Sequence, residues 1–209
     1  MRQAVAKCSS NGMEVGISIG NRKVTDLDYA DDIALLTDNE AALQSFVDQV
    51  VFFGAMLGLK INADKTKVMA ACTTVAPRIN VQGTDVESVD SFRYLGCLIS
   101  NRNSCESDIL SRICLAQAAY QLLHPCLFAR EDVSIPTKMR VYLASVRSVL
   151  VYGCESWTVT SSLSSTLDSC EFGFLRRLLG VKSFPFPRNS EVLRRCGIHS
   201  SLSQFVKRS

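Results

Sequence analysis

The sequence predicts an α+β protein whose first hundred residues mix short strands with one helix and whose remaining residues are almost entirely helical. Apolar residues in the first part alternate between strand-like and helical spacing, whereas after residue 100 they keep the three- and four-residue steps of helices. Turn-forming residues separate the segments. We therefore predict two regions, residues 1–100 and residues 101–209, with a boundary near Ser100.

Short runs of β-branched and aromatic residues in the first region predict strands, and one longer segment with helical spacing predicts a helix. Asp38 or Asn39 can cap the start of this helix, and Gly58 can end it. The segment around Pro77 and Gly83 is rich in turn formers. The predicted elements are a loop or short strand in residues 1–21, strands Lys23–Leu27 and Ile33–Thr37, a helix from Asn39 to Leu57, and strands Thr66–Cys72 and Phe92–Ile99.

The second region has four segments in which apolar residues fall on one helical face. Asn103 and Glu106 have the spacing of a capping box, and Pro136 suits a first helical turn. The predicted helices run from Asn103 to Pro125, from Pro136 to Gly153, from Leu163 to Gly180 and from Asn189 to Gly197.

The composition is that of a globular chain with 47% apolar and 21% charged residues. No apolar run approaches the roughly 20 residues that span a bilayer, and the N-terminus lacks the apolar core of a signal peptide. We expect no membrane contact and an intracellular location, nuclear or cytoplasmic. None of the nine cysteines forms a C-x-x-C pair, so we predict reduced, mostly buried thiols instead of a zinc site or a disulfide framework.

The tetrad Tyr29-Ala30-Asp31-Asp32 between two strand-like runs is the strongest candidate for chemistry. Adjacent carboxylates in a tight turn suit Mg²⁺, which prefers carboxylate oxygens with positions left for phosphate. Two such ions about 4 Å apart can activate a 3′-hydroxyl and stabilise a leaving pyrophosphate. A solvated surface turn explains the tetrad alone equally well. Asp26 and Asp28 alternate with apolar neighbours, and we expect them to be solvated or paired with Arg22 or Lys23, not to be ligands.

Residues 25–36 resemble motif C of the reverse transcriptases of non-LTR (LINE-type) retrotransposons. Residues 58–62 with residues 65–69 resemble motif D, and Phe92–Gly96 resembles motif E, the primer grip. Residues 152–157 and 174–181 resemble the helical region that follows in these elements. Several motifs in the correct order are far more specific than one tetrad. The resemblance implies a partial polymerase palm of β-hairpins and a helix, followed by an all-helical, thumb-like region.

The resemblance also implies roles for individual residues. Asp31 would be the principal metal-binding carboxylate and Asp32 its supporting neighbour, with Mg²⁺ as the cofactor. Tyr29 would lie near the primer end or the incoming nucleotide. Leu95 and Gly96 would bring main chain close to the primer, since glycine permits close approach; a plain β-turn is the alternative for that glycine.

A lysine beside the nucleotide phosphates is also implied by motif D. Lys65 is the candidate, and Lys60 and Lys67 are nearby alternatives. An exposed strand lysine without such a role explains Lys65 as well. Trp157 and Glu155 are expected to be structural, as is usual where a helix ends.

The last 39 residues form a basic end, with eight basic and two acidic side chains and a net charge of +6. Arg176, Arg177, Arg194 and Arg195 could grip phosphates, which gives salt-sensitive binding without sequence preference. A solvated helical surface explains the same charges. The resemblance implies an RNA template and a DNA primer as partners, and deoxynucleoside triphosphates as substrates of the intact enzyme. Nothing in the sequence predicts an oligomeric state.

Only 28 residues precede Tyr29, which leaves no room for motif A, with its further metal-binding aspartate, or for motif B. We therefore expect a fragment of an RNA-directed DNA polymerase with little or no activity alone. The alternatives are a non-catalytic nucleic-acid-binding remnant that uses the basic helices, and an inert interaction protein.

Overall fold

The computed structural model describes residues 16–71, 77–102, 104–181 and 187–208. The chain divides into two compact units. The first comprises the residues up to Leu95 together with residues 100–103, and the second comprises Gly96–Ile99 together with the residues from Ser104 onward. Short strands and one helix make up the first unit, and helices make up nearly all of the second.

Short two-stranded sheets build the first unit. Strand pairs β1–β2, β3–β4 and β6–β7 are antiparallel hairpins, and β5 pairs with β8 in parallel. The predicted strand Lys23–Leu27 is wrong as one element, because its residues belong to two strands with different partners. The strands are β1 Ile17–Ile19, β2 Arg22–Val24, β3 Asp26–Tyr29, β4 Asp32–Leu35, β5 Lys67–Val68, β6 Asn80–Val81, β7 Thr84–Asp85, β8 Glu87–Ser88, β9 Ser91–Tyr94 and β10 Cys97–Ser100.

Helix α1, Glu40–Met56, confirms the predicted helix. The side chain of Asn39 accepts a hydrogen bond from the backbone N–H of Ala42 at 3.2 Å, so Asn39 is the cap. Gly58 follows the helix with a φ of 73°, a conformation that glycine adopts without strain. The buried face of α1 packs against apolar residues of β5 and of the segment between Ile79 and Val86. This packing explains why the predicted turn-rich segment also contains β6, β7 and β8.

The predicted strand Phe92–Ile99 is wrong as a single strand. Leu95 and Gly96 have φ values of 47° and 83°, and they separate β9 from β10. Two successive residues with positive φ are typical of the tight turn in a two-residue hairpin. The predicted strand Thr66–Cys72 is also shorter than expected, since pairing is limited to Lys67–Val68; Cys72 and residues 1–15 lie outside the described residues.

The helices of the second unit match the predicted helical segments, with two corrections at their ends. The first helix begins at Glu106 after Cys105, so Glu106 is not the third residue of a capping box. Pro125 does not end the helical path, because a π-helical turn, His124–Phe128, continues it. The helices are α2 Glu106–Leu123, α3 Ile135–Tyr142 continued by a π-helical turn at Leu143–Arg147 and by Ser148–Leu150, α4 Ser161–Leu178, α5 Asn189–Cys196 and α6 Leu202–Val206.

A stack of aromatic rings lies in the core of the second unit. The ring centroid of Tyr120 is 4.8 Å from that of Phe128 and 4.9 Å from that of Phe174. The short helix α6 was not predicted. Its N-cap is Ser201, whose backbone N–H donates to the side chain of Gln204 at 3.2 Å, and Asp168 of α4 accepts hydrogen bonds from the backbone N–H and the hydroxyl of Ser203 at 2.8 and 2.7 Å.

The cysteines of the described residues are free thiols. Cys154 and Cys196 are buried, but Cys114 and Cys126 are exposed. The prediction that most cysteines are buried is therefore wrong for the described ones, since only Cys154 and Cys196 are buried. In the same part of the chain, none of the helices has the length and apolarity needed to cross a membrane.

Candidate functional site

Strands β3 and β4 form a tight hairpin joined by two residues, Ala30 and Asp31. In its antiparallel register, Tyr29 pairs with Asp32 and Asp28 pairs with Ile33. Ala30 has a φ of 56°, and this left-handed conformation costs a non-glycine residue about 1–2 kcal/mol. The predicted hairpin around the tetrad is confirmed, with Asp31 in the turn and Asp32 as the first residue of β4.

Strand alternation separates the acidic residues of the hairpin into two faces. Directly paired residues of an antiparallel ladder share a face, and successive residues point to opposite faces. Tyr29 and Asp32 therefore share one face, and Asp28 lies on the other. Asp31 and Asp32 are exposed, and Tyr29 is 67% exposed. Both carboxylates predicted to bind metal are thus open to an approaching ligand.

The donor atoms of Asp31 and Asp32 suit a magnesium ion. Mg²⁺ in nucleotide-processing sites is commonly bound by one or two carboxylates, with phosphates and water completing the coordination. Within the described ranges, no group of three or more His, Cys, Asp or Glu side chains could hold a metal ion. If the hairpin held such an ion, Asp31 and Asp32 would be two of its ligands, and the remaining ligands would have to come from substrate, water or other residues.

Tyr94 lies beside this hairpin, although we did not predict it as a site residue. Its hydroxyl donates a hydrogen bond to the carbonyl oxygen of Leu27 at 3.1 Å, across 67 positions of sequence. Burial raises the pKa of Tyr94, and the nearby carboxylates of Asp32 and Asp28 raise it further. Within the first unit, the strand that resembles motif E therefore contacts the hairpin that resembles motif C. No sequence pattern could have revealed this, because the partner atom belongs to the main chain.

The three candidate lysines have different surroundings. Lys67 donates to Glu87 at 2.5 Å in an ion pair, so its charge is partly neutralised. The backbone N–H of Lys65 donates to the side chain of Asn62 at 3.2 Å, and the Lys65 residue is exposed. Lys60 is exposed as well. The ion pair makes Lys67 the least suitable of the three to approach a phosphate.

The Leu95-Gly96 turn places two successive residues at positive φ. Leu95 is 38% exposed and follows Tyr94 directly. A Cβ on Gly96 would lie 3.2 Å from the ring of Tyr152, which is tighter than ordinary packing. Gly96 is therefore needed both for its φ and for the space it leaves to Tyr152, and the plain β-turn interpretation accounts for only the first of these.

The four candidate arginines are all engaged within the chain. Arg176 donates to the side chain of Asn189 at 2.6 Å, and Arg177 donates to the carbonyl of Gly173 at 3.1 Å. Arg194 and Arg195 both donate to the carboxylate of a single residue, at 2.8 and 2.7 Å. These hydrogen bonds lower the pKa of that residue, Glu191, to about 2.

Comparison with known proteins matches the part of the chain that contains the motifs on which the resemblance rests. Residues 5–99 match the family described as reverse transcriptase (RNA-dependent DNA polymerase). The match contains the tetrad hairpin, the motif D segment and the motif E strand, so the predicted resemblance to a reverse transcriptase is confirmed.

Several proteins that resemble this chain come from mobile elements. A putative transposon-derived protein of Caenorhabditis elegans is 27% identical over 167 residues, which cover 78% of this chain and 59% of that protein. The RNA-directed DNA polymerase from mobile element jockey of Drosophila funebris is 23% identical over 172 residues, covering 78% of this chain and 19% of the polymerase. The Pol polyprotein from retrotransposable element R2 of Popillia japonica is 33% identical over 92 residues, which cover 39% of this chain and 13% of that polyprotein.

The extent of these matches has two consequences. Alignments of 167 and 172 residues reach well beyond residue 99, so the similarity includes part of the helical unit. The chain nevertheless spans less than two thirds of each relative, and less than a fifth of the two polymerase-type proteins. The partial coverage fits a fragment of a non-LTR retrotransposon reverse transcriptase.

Proposed function

We propose that this chain carries the catalytic hairpin of a non-LTR retrotransposon reverse transcriptase and the helical region that follows it. Residues 1–100 would contribute motifs C, D and E to the polymerase palm, and residues 101–209 would form the thumb-like region. The observation that carries the proposal is the hairpin of β3 and β4, which presents Asp31 in its turn and Asp32 on the exposed face beside Tyr29. The family match contains this hairpin.

In the proposed mechanism, Asp31 and Asp32 hold magnesium beside the end of a growing strand. A magnesium ion held there would supply positive charge beside the phosphates and beside the attacking hydroxyl. The protein contributes mainly position and charge, as in other phosphoryl transfers. Asp31 projects from a two-residue turn, which limits its movement, and Asp32 is held by its pairing with Tyr29.

The proposed substrates follow from the family. An RNA template and a DNA primer would lie along the hairpin, with the exposed ring of Tyr29 and the Leu95-Gly96 turn near the primer end. Lys65 would approach the phosphates of a deoxynucleoside triphosphate. Two-metal catalysis needs further carboxylates, and the described residues bring no third ligand to Asp31 and Asp32. A polypeptide of these 209 residues would therefore bind substrate without polymerising it.

Binding of Mn²⁺, a paramagnetic substitute for Mg²⁺, tests the proposed metal site. The Asp31→Asn and Asp32→Asn variants should each weaken Mn²⁺ binding about tenfold or more, because each loses a charged oxygen ligand. Line broadening of backbone amide signals in NMR spectra would locate the ion. Broadening should centre on residues 29–33 in the unsubstituted chain and vanish in the Asp31→Asn/Asp32→Asn double variant.

Asp28→Asn is the matched control, because it removes the same charge from the opposite face of the same hairpin. Its Mn²⁺ affinity should stay within about twofold of the unsubstituted chain. Equal losses in all three single variants would mean that general negative charge, and not a site, attracts the ion. That result would refute the proposed metal-binding role.

A non-catalytic nucleic-acid-binding role has weaker support. It depends on the basic end, but Arg194 and Arg195 are both paired with Glu191 and Arg176 is bound to Asn189. These three guanidinium groups therefore already have hydrogen-bond partners within the chain.

A further inference from the structure

Within the second unit, side chains of helix α2 form hydrogen bonds with the main chain of residues 96–98, and side chains from the loop after Leu150 pack against them. Asp108 is 2% exposed. One oxygen of its carboxylate accepts a hydrogen bond from the backbone N–H of Leu98 at 2.9 Å, and the other accepts one from the indole N–H of Trp157 at 2.9 Å. A buried carboxylate with a main-chain donor and an indole donor on separate oxygens has a fixed orientation.

Arg112 makes the second contact, one helical turn further along α2. Its residue is 7% exposed, and its guanidinium donates to the carbonyl oxygen of Gly96. The guanidinium carbon lies 4.5 Å from the ring centroid of Tyr152, and Nε lies 3.8 Å from the carboxylate of Asp108. The planar guanidinium is therefore held by a cation–π contact and an ion pair while it binds the main chain.

Two glycines allow these groups to come so close. A Cβ on Gly96 would lie 3.2 Å from the ring of Tyr152, and a Cβ on Gly153 would lie 2.3 Å from the sulfur of Cys97. Both glycines also have positive φ values, 83° and 75°. Residues 96 and 97 are thus in direct contact with residues 152 and 153, and any larger side chain at either glycine would push them apart.

We propose that Asp108, Arg112, Tyr152 and Trp157 form a clamp of positioning residues that fixes Gly96–Leu98 for contact with the end of a primer strand. The primer-facing part of this proposal rests on the proposed function. A buried ion pair is weak evidence for stability, because well-packed apolar residues often stabilise a core as well. Asp108 and Arg112 instead direct hydrogen bonds to the main chain of Leu98 and Gly96, as expected where a supporting shell fixes the geometry of a functional segment.

Amide hydrogen exchange of the full chain, followed by mass spectrometry, tests the clamp. Arg112→Lys keeps the charge but loses the planar group, and Trp157→Phe keeps a ring but loses the N–H donor. In each variant, peptides covering residues 96–99 should exchange about tenfold faster, while peptides from α4 keep their rates. Arg140→Lys is the control, because Arg140 is exposed in the last turn of α3, and it should change neither.

Unchanged exchange at residues 96–99 in both variants would overturn the clamp. Equal acceleration across the helical unit would also overturn it, since that result indicates ordinary core residues.

A fluorescent base in a template–primer hybrid tests the primer-facing part. The hybrid carries 2-aminopurine either at the 3′ end of the DNA primer or at an internal position. Arg112→Lys should abolish the change in fluorescence at the 3′ end, while the affinity measured by anisotropy stays within about twofold. Equal loss of both signals would refute primer positioning. If the unsubstituted chain binds no hybrid, the proposed function and the primer-facing part both fail, and the exchange rates still decide whether the clamp exists.

Discussion

Ala30 is the residue on which the geometry of the candidate site depends most directly. It holds a φ of 56° between Tyr29 and Asp31, in a region that residues with a Cβ rarely occupy. Strain of this kind persists when surrounding structure imposes it, and it is concentrated at functional positions. Here the imposing structure is the pairing of β3 with β4 on both sides of a turn of only two residues.

Ala30→Gly should therefore stabilise the hairpin by about 1 kcal/mol, because glycine adopts positive φ without strain. The effect should appear as slower amide exchange in β3 and β4, by about fivefold. Ala34→Gly is the matched control: Ala34 lies within β4, where glycine weakens a strand and should speed exchange. Changes in the same direction in both variants would contradict this account of Ala30.

At the same scale, some candidate site residues can be proposed from the sequence and others only from the structure. Asp31 and Asp32 could be predicted because their chemistry and their turn are local. Tyr94, Asp108 and Arg112 could not be assigned, because each acts on the main chain of a residue that is distant in sequence or hidden in a turn. Every residue has a backbone N–H or C=O, so the amino-acid type at a position does not show that its backbone accepts or donates such a hydrogen bond.

At the scale of elements, helices were predicted better than strands. Asn39 and Gly58 mark the limits of α1, and Gly197 marks the end of α5, because caps are local signals. The strands are only two to four residues long. Alternation over so few residues cannot show where one strand ends and the next begins. The spacing therefore predicts one strand where the structure has β9, a turn and β10.

Helix α5 also makes a prediction about nucleic-acid binding. Glu191→Gln should release Arg194 and Arg195 from their shared carboxylate. Affinity for an RNA–DNA hybrid should rise about tenfold at low salt, and the plot of log affinity against log salt should steepen by about one to two units. Fluorescence anisotropy over a salt series would measure both quantities.

The control for this experiment is Glu106→Gln, which changes the net charge equally in the first turn of α2. It frees no arginine and should leave the salt dependence unchanged apart from a small general effect. If both variants behave alike, α5 does not contact the hybrid, and the non-catalytic binding role loses its remaining support.

At the scale of the whole molecule, the family match covers residues 5–99, while two relatives align over about four fifths of the chain. The mixed composition of secondary structure could be predicted from spacing alone. The assignment to a polymerase could not, because a two-carboxylate turn is common; it required several motifs in order. The helical unit carries few local signals of function, and its aromatic core accounts for most of its pattern.

The 209-residue polypeptide should extend no primer on an RNA template with either Mg²⁺ or Mn²⁺. The described residues supply two carboxylates to the candidate metal site, and two-ion catalysis requires more ligands than these. Primer extension resolved on a gel, with Asp31→Asn as the background, would measure this. Extension above that background would contradict the prediction and would mean that this polypeptide completes the site itself.

The two-residue connection between β3 and β4 also limits how this segment can change by insertion or deletion. If Tyr29 paired with a residue added just before Asp32, Asp32 would pair with Asp28 and every later position of β4 would change face. The carboxylate of Asp32 would then lie on the opposite side of the ribbon from Tyr29, while the composition of the segment stayed nearly the same. The length of this connection therefore matters as much as its acidic residues for where the carboxylate of Asp32 lies.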